Sequence, residues 1–333
     1  MRPGLLVTRV SWLTPSGCSL ALVAVAATLL GLEGLLRRPL LDEMSVASIV
    51  LAEYWLLALF AVPVVIMQRE SLARLSWRTW SVMLIIGAGS SGAAALLFTK
   101  ALESGNPTTA SLLQNTQPLF VVLLAVLLLK ERLTRIYWPC LGIALVGAYL
   151  LSFGTTNTLA ALSREDLVAA GLALGAAALW ASGTVLGRLA LSDLSYVTLT
   201  AVRILFALPF LAIVALPQGA VSESFSGLAA SPVRLGVSAL VPGLIAVLLF
   251  YRGLRGTKAS YAVLAEFMYP TAALVGNWVV LGTVITPLQG LGCLLLIATI
   301  LILAWKPAAN LVPSAARADG TPRERAILVP DAA

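Results

Sequence analysis

The sequence predicts an all-α integral membrane protein whose ten transmembrane helices form two inverted five-helix repeats. Three observations carry this expectation: ten apolar stretches of membrane-spanning length, a skew of Lys and Arg toward alternate connectors, and an internal match at an offset of 152 residues. Of the 333 residues, 59% are hydrophobic and 11% charged, and the mean hydropathy is +0.96. Soluble domains carry about 25% charged residues, so water is not the main solvent of this chain.

A bilayer core requires about 20 consecutive apolar residues per helix. The stretches run approximately Gly17 to Leu36, Ser45 to Met67, Thr79 to Thr99, Pro107 to Leu129, Trp138 to Phe153, Leu167 to Gly187, Tyr196 to Leu216, Pro232 to Tyr251, Ala259 to Leu281, and Ile285 to Trp305. The fifth is the shortest, and a nine-helix reading stays open if it merges with its neighbour. The first is too long for a typical signal peptide and is followed by nine more, so it is expected to stay in the mature chain. Accordingly, residues 1–16 form an N-terminal segment, 17–155 a first repeat, 167–305 a second, and 306–333 a tail rich in Ala, Pro and charge that is expected to be disordered and receives no function.

The net charge of +7 is spread through the connectors rather than gathered on one element, which argues against a nucleic-acid partner. Basic residues stay on the cytoplasmic side of a membrane. With the N-terminus inside, 16 of the 22 Lys and Arg residues fall on that side and 5 outside, which places both termini in the cytoplasm and the chain in the cytoplasmic membrane. Cys18, Cys140 and Cys293 are too far apart for a zinc knuckle or a redox pair, and the absence of histidine removes the commonest metal ligand and general base. No cofactor is expected.

At the offset of 152, Phe98 falls on Phe250, Lys100 on Arg252, Ala110 on Ala262, Pro118 on Pro270 and Thr134 on Thr286. Five helices per copy is an odd number, so the second copy lies upside down relative to the first. Inverted repeats underlie many secondary transporters, because two similar halves of opposite orientation can open a shared centre to either side in turn.

The segments Lys100-Ala-Leu, Asn106-Pro107-Thr-Thr-Ala110-Ser-Leu-Leu113, Gln117-Pro118-Leu-Phe and Lys130-Glu131-Arg132-Leu133-Thr134, followed by Gly147, resemble the EamA repeat of the drug/metabolite transporter superfamily. A second copy is carried by Arg252-Gly-Leu254, Ala259-Ser-Tyr-Ala262-Val, Tyr269-Pro270, Leu281-Gly282, Thr286 and Gly292. The resemblance implies ten helices, cytoplasmic termini, and a central cavity lined mainly by the first to fourth and sixth to ninth helices. It also implies export or import of small organic solutes; export is the expected direction. Two positions depart from the family pattern: Thr283 stands where a Glu is usual, and Glu53 where an Arg is more usual.

Charged residues inside a membrane cost about 2.5 to 3.5 kcal/mol each at a helix centre on insertion scales, so each asks for a reason. Glu33 lies four residues before Arg37, a spacing that lets the two meet on one helix face. Glu53 lies about 12 Å into the second helix with no charged residue one turn away. Arg203 and Glu266 lie at similar depths in the seventh and ninth helices, where they either pair or hold opposite ends of a zwitterionic solute. Their symmetry counterparts are Glu53 and Gln114. Gln114 and Tyr269 flank the repeated prolines, and a proline frees the carbonyl four residues before it. Trp180 and Trp55 can stack on a solute or simply pack. We therefore expect Glu53, Gln114, Arg203, Glu266, Tyr269 and Trp180 to bind or couple. Glu266 beside Arg203 stays ionised on this reading, which leaves Glu53 to exchange a proton or another cation.

Taken together, these residues point to a secondary transporter of small organic solutes working by alternating access. An intramembrane enzyme would need paired acidic motifs or a nucleophile with its base, and a non-transporting scaffold would need no charge within its helices. The oligomeric state is not readable from the sequence.

Overall fold

The computed structural model describes residues 15–104, 113–153, 164–282 and 284–304. The expected N-terminal segment, the tail, and the beginning of the fourth apolar stretch lie outside the described residues. Every regular element among the described residues is a helix. Eight helices are long and apolar enough to cross a membrane, and two shorter apolar ones, Gln117–Leu128 and Tyr137–Ser152, occupy the places expected for the fourth and fifth.

The helices in chain order are α1 (Pro15–Gly31), α2 (Glu33–Leu41), α3 (Val46–Met67), α4 (Arg69–Ala73), α5 (Trp77–Leu84), α6 (Ala94–Ser104), α7 (Gln117–Leu128), α8 (Tyr137–Phe153) and α9 (Arg164–Ala190). They continue with α10 (Tyr196–Ala215), α11 (Ala220–Ala230), α12 (Pro232–Ser238), α13 (Val247–Arg255), α14 (Ala259–Ala265), α15 (Met268–Leu281) and α16 (Pro287–Ala304). Two π-helical segments, Ile85–Ala93 and Ala239–Ala246, join α5 to α6 and α12 to α13.

Local chemistry repeats between the halves. Ser45 and Ser195 each cap the helix that comes next, accepting from the backbone N–H of Ser48 and Thr198, a satisfied N-terminus of the S/T type. At the offset found in the sequence, Lys130 and Gly282 both adopt left-handed backbone conformations, φ 51° and 67°, as C-terminal caps do. Among the described residues, each half also contains a membrane helix broken close to a repeated proline. The first breaks at Asn115 and Thr116, the second at Glu266 and Phe267, and in both the next helix carries a proline in its first turn, Pro118 or Pro270. A proline fits there because its missing N–H would have no helical partner.

Packing follows the same correspondence between the halves. Helix α3 lies along α10, and α8 along α16, each helix against its own counterpart; α1 packs on α13 and α15 as α9 packs on α6 and α7. Small residues permit the close approaches: Ala169, Ala173, Ala176, Ala177 and Ala181 on α9 are fully or almost fully buried, an interface typical of membrane helices. Leu59, Ile66, Leu127, Ile213, Val279, Leu294 and Leu301 point outward, the surface that hydrocarbon would cover.

Connectors tie the helices together on both faces. On the face rich in Lys and Arg, Glu131 accepts from the backbone N–H groups of Ala259 (2.8 Å) and Ser260 (3.2 Å) and from the Ser260 hydroxyl (2.5 Å). Lys258 Nζ donates to the Arg132 carbonyl at 2.8 Å. On the opposite face, Glu223 accepts from Ser45 N (3.0 Å), Ser45 Oγ (2.7 Å) and Ser48 Oγ, while Glu43 accepts from Ser231 Oγ (2.9 Å) and Arg234 Nη1 (3.0 Å).

Candidate functional site

Three polar clusters sit within the helical bundle. In the first, Arg37 on α2 clamps Glu53 on α3: Nε donates to Oε1 at 2.9 Å and Nη2 to Oε2. Arg37 Nη1 also pairs with Glu33, as the four-residue spacing predicts, and Ser238 Oγ at the start of the second π segment donates to Glu53. The fork of a guanidinium fits the two oxygens of a carboxylate, so this is the strong form of an ion pair. It corrects the expectation that Glu53 lacks a fixed cation. Helix α2 carries the chain on past the turn at Leu32 to Leu41, which brings Arg37 to Glu53 instead of leaving it in a connector.

The second cluster surrounds Arg203 on α10. Its Nε donates to Ser91 Oγ at 3.0 Å and its Nη1 to Tyr251 Oη at 3.3 Å, with the guanidinium carbon 5.6 Å from the Tyr251 ring centroid. Tyr54 of α3 adjoins both Arg203 and Ser91. Glu53 and Arg203 stand eight residues after the capping serines Ser45 and Ser195, so they are structural counterparts. Each bonds a serine at or beside a π-helical segment of the other half: Ser238, the last residue of α12, for Glu53, and Ser91, within Ile85–Ala93, for Arg203. Helix segments of this kind recur at functional sites.

Glu266 forms the third cluster, at the break between α14 and α15. Gln117 Nε2 donates to its Oε2 at 3.0 Å and Thr184 Oγ1 to its Oε1 at 3.5 Å. Arg203 and Glu266 therefore do not form the expected ion pair. The arginine is held by side chains of the Ile85–Ala93 segment and α13, whereas the carboxylate turns toward α7 and α9. The carbonyl of Glu266 is not unpaired either, since Tyr269 N–H donates to it at 2.9 Å; the break closes on itself with a tighter turn.

The remaining candidates surround these clusters. Trp180 lies one turn before Thr184 on α9 and meets Phe98 edge-on, ring centroids 5.4 Å apart. Tyr269 comes three residues after Glu266 and lies within electrostatic reach of Glu33 and Arg37. The backbone of α15 comes so near α1 here that a Cβ at Gly31 would run into the Tyr269 carbonyl. Gln114 is half-buried just before the first break and bonds neither Glu53 nor Glu266; the neighbouring amide, Gln117, does that. Trp55 stacks on Phe225 of α11, centroids 5.5 Å apart, which makes it a packing residue. Beside the repeated proline the sequence singled out Gln114 rather than Gln117, and it gave Arg37 to Glu33 without its reach to Glu53; Thr184 gave no signal among the many hydroxyls of the apolar stretches.

Residues 17–153 and 167–305 both match the EamA-like transporter family. The riboflavin transporter ImpX of Fusobacterium nucleatum is 29% identical over 286 residues, 84% of this chain and 95% of that protein. An uncharacterized transporter of Methanothermobacter thermautotrophicus is 27% identical over 240 residues, 71% of this chain and 68% of its own length. A crystal structure of a protein only 18% identical has the same fold, with a TM-score of 0.67 over 86% of this chain and 97% of the other. The two broken helices, the exchanged serines and the two matched halves are the two copies of one repeat, and the chain belongs to the EamA-like transporter family, a multi-pass membrane protein of the drug/metabolite transporter superfamily.

Proposed function

We propose that this protein is a secondary transporter that moves a small organic solute across the cytoplasmic membrane by alternating access between its two halves. The reading includes ten membrane crossings, cytoplasmic termini, and export as the net direction. It rests on one observation above all: the intramembrane charges Glu53, buried, and Arg203, half-buried, are each held by a serine from the opposite repeat, so relative motion of the halves must exchange these contacts. Buried polar groups rarely lie unbonded, which makes such contacts discrete and the motion a switch between two arrangements. The skew of Lys and Arg to one face supports the orientation.

For the solute, riboflavin is the first candidate, because the aligned relative from Fusobacterium nucleatum is named for it. Trp180, Phe98 and Tyr269 offer aromatic faces for a planar ring, and Gln114 and Gln117 offer amides for its polar edge. The test is flux of radiolabelled riboflavin across liposomes containing the purified protein, read in both directions. Saturable, protein-dependent flux is the expected result. Absence of flux for riboflavin and for a panel of amines, nucleosides and amino acids overturns the transporter reading, and formation of a modified product would place the protein among enzymes.

A further inference from the structure

Glu53, buried, and Glu266, half-buried, both lie within the membrane helices and have partners of opposite chemical character. Glu53 is held by Arg37, whose guanidinium has donors only and keeps its charge at every cellular pH. A protonated Glu53 would keep only its carbonyl oxygen as an acceptor for the fork and would turn an O–H toward a group that has donors alone, so this site favours the carboxylate. Glu266 is held by Gln117 and Thr184. An amide presents either N–H or carbonyl, and a hydroxyl either donates or accepts, so the same two residues can serve a carboxylate and a neutral carboxyl equally.

Among the described residues, the surroundings of Glu266 supply no fixed positive charge. On α14 and α15 the titratable groups are Tyr261, bonded to Thr134, and Tyr269. Helix α7 has none, and α1 and α16 have only Cys18 and Cys293. Two further helices pack on α15: α8 brings Tyr149 and Tyr137, the latter bonded to the Ser260 carbonyl, and α2 brings Glu33, Arg38 and Arg37, the last engaged by Glu33 and Glu53. On α9, Arg188 donates to the Thr257 carbonyl at 3.1 Å, while Arg164 and Glu165 lie at the other end of the helix. On α13, Tyr251 is engaged by Arg203, and Arg252 and Arg255 are exposed. None of these forms an ion pair with Glu266. An ionised carboxylate within a membrane needs a counter-charge, and none of the described residues provides one here. A divalent metal cation does not suit the site: even with their oxygens turned inward, Gln117 and Thr184 add only two ligands to Glu266, fewer than such an ion takes, and among the described residues no three His, Cys, Asp or Glu side chains gather.

We propose that Glu266 is the proton-binding site of the transport cycle, with Gln117 and Thr184 as positioning residues that stabilise both of its charge states. The inference rests on the transporter reading and names its coupling ion. Glu266 takes one proton from water on the face open at the time, becomes a neutral carboxyl, and gives the proton up on the other face; no other bond is made or broken. Solute moves in the opposite sense while the carboxylate is free. Glu53 takes no part in the proton transfer.

The site can be tested without any solute. Purified protein in lipid nanodiscs is titrated between about pH 5 and 9, and protonated carboxyl groups are followed by their infrared carbonyl band. A buried carboxyl band that titrates in the wild type and in Glu53→Gln, and is missing from Glu266→Gln, is the expected result. Gln117→Leu is expected to move the midpoint by at least half a pH unit while leaving the band in place, which a merely structural glutamine would not do. A band that persists in Glu266→Gln, or no band in the wild type, overturns the proposal. Should Glu266→Gln fail to fold, Glu266→Asp is expected to shift the same band, and an unshifted band is equally fatal. Because the band does not depend on flux, loss of the proton site and failure of transport can be told apart.

Discussion

The side-chain amide of Gln117 reaches the carboxylate of Glu266 at 3.0 Å, joining the break in one repeat's membrane helix to the break in the other's. The sequence offset of 152 pairs Gln117 with Tyr269 and Gln114 with Glu266. In an inverted-repeat transporter the two halves trade conformations, so the mirror of this contact is one between Tyr269 and Gln114. We expect the Gln117→Cys, Glu266→Cys pair and the Gln114→Cys, Tyr269→Cys pair to crosslink in alternative states. Crosslinking of one pair should protect the other from maleimide labelling; simultaneous formation of both would sink the exchange.

Arg37 sits between two carboxylates, Glu33 and Glu53. Truncating one partner of a desolvated, hydrogen-bonded ion pair costs about 2 to 5 kcal/mol, much of it from the charge left behind. Arg37→Gln should therefore lower thermal stability strongly, and Glu53→Gln added to it should restore part of the loss. Equal melting temperatures for Arg37→Gln with and without Glu53→Gln would contradict the pairing.

Arg203 and Glu266 bond separate partners. Without solute, the stability effects of Arg203→Gln and Glu266→Gln are expected to add to within about 0.5 kcal/mol, as for sites that share no contact. Denaturation of the two single variants and the double variant measures this directly. A larger departure would mean that the two clusters are one.

Lys130 holds a left-handed conformation, φ 51°, that glycine occupies at the equivalent Gly282. Its successor, Glu131, closes the helix end by donating its backbone N–H to the Ala125 carbonyl at 3.1 Å. Lys130→Gly relieves the Cβ strain of this cap, and is expected to stabilise the protein by roughly 0.5 to 1 kcal/mol. Thermal unfolding monitored by scanning fluorimetry should show a higher midpoint; Lys130→Ala should show none.

Glu223 on the opposite face has its carboxyl held below the ordinary carboxylate range by the hydroxyl of Ser48, then by the hydroxyl and backbone N–H of Ser45. A lowered value in the folded protein stabilises it above the unfolded group's value, and that contribution is lost as pH falls through the folded one. Wild type should thus exceed Glu223→Gln in stability at neutral pH, and the gap should close on acidification. A gap independent of pH would assign the difference to packing.

Much of the fold was legible because span length and proline position are local properties of the chain. The two repeats also came from residue identity at one offset. Azimuth could not be read in this way. Depth along a helix placed Arg203 and Glu266 at the same level, but the direction in which each points depends on the π-helical turns at Ile85–Ala93 and Ala239–Ala246 and on the break at Glu266. Each of these rotates the helix beyond it by a fraction of a turn, which also selected Gln117 over Gln114. The reach of Arg37 to Glu53 was missed for a related reason: a short helix continuing beyond Gly31 brings a residue of the apparent connector back against Glu53.

Gly147 of α8 and Gly292 of α16 lie against each other so closely that a Cβ on Gly147 would stand 3.0 Å from the Gly292 carbonyl oxygen, and one on Gly292 would stand 2.6 Å from that of Gly147. At this crossing backbone meets backbone, so there the fit has no rotamer to exchange. A machine that rocks needs an axle that does not. In the alternating-access cycle proposed above, the last helix of each repeat would supply one, and the displacement that opens either face would be borne by the helices that carry Glu53, Arg203 and Glu266.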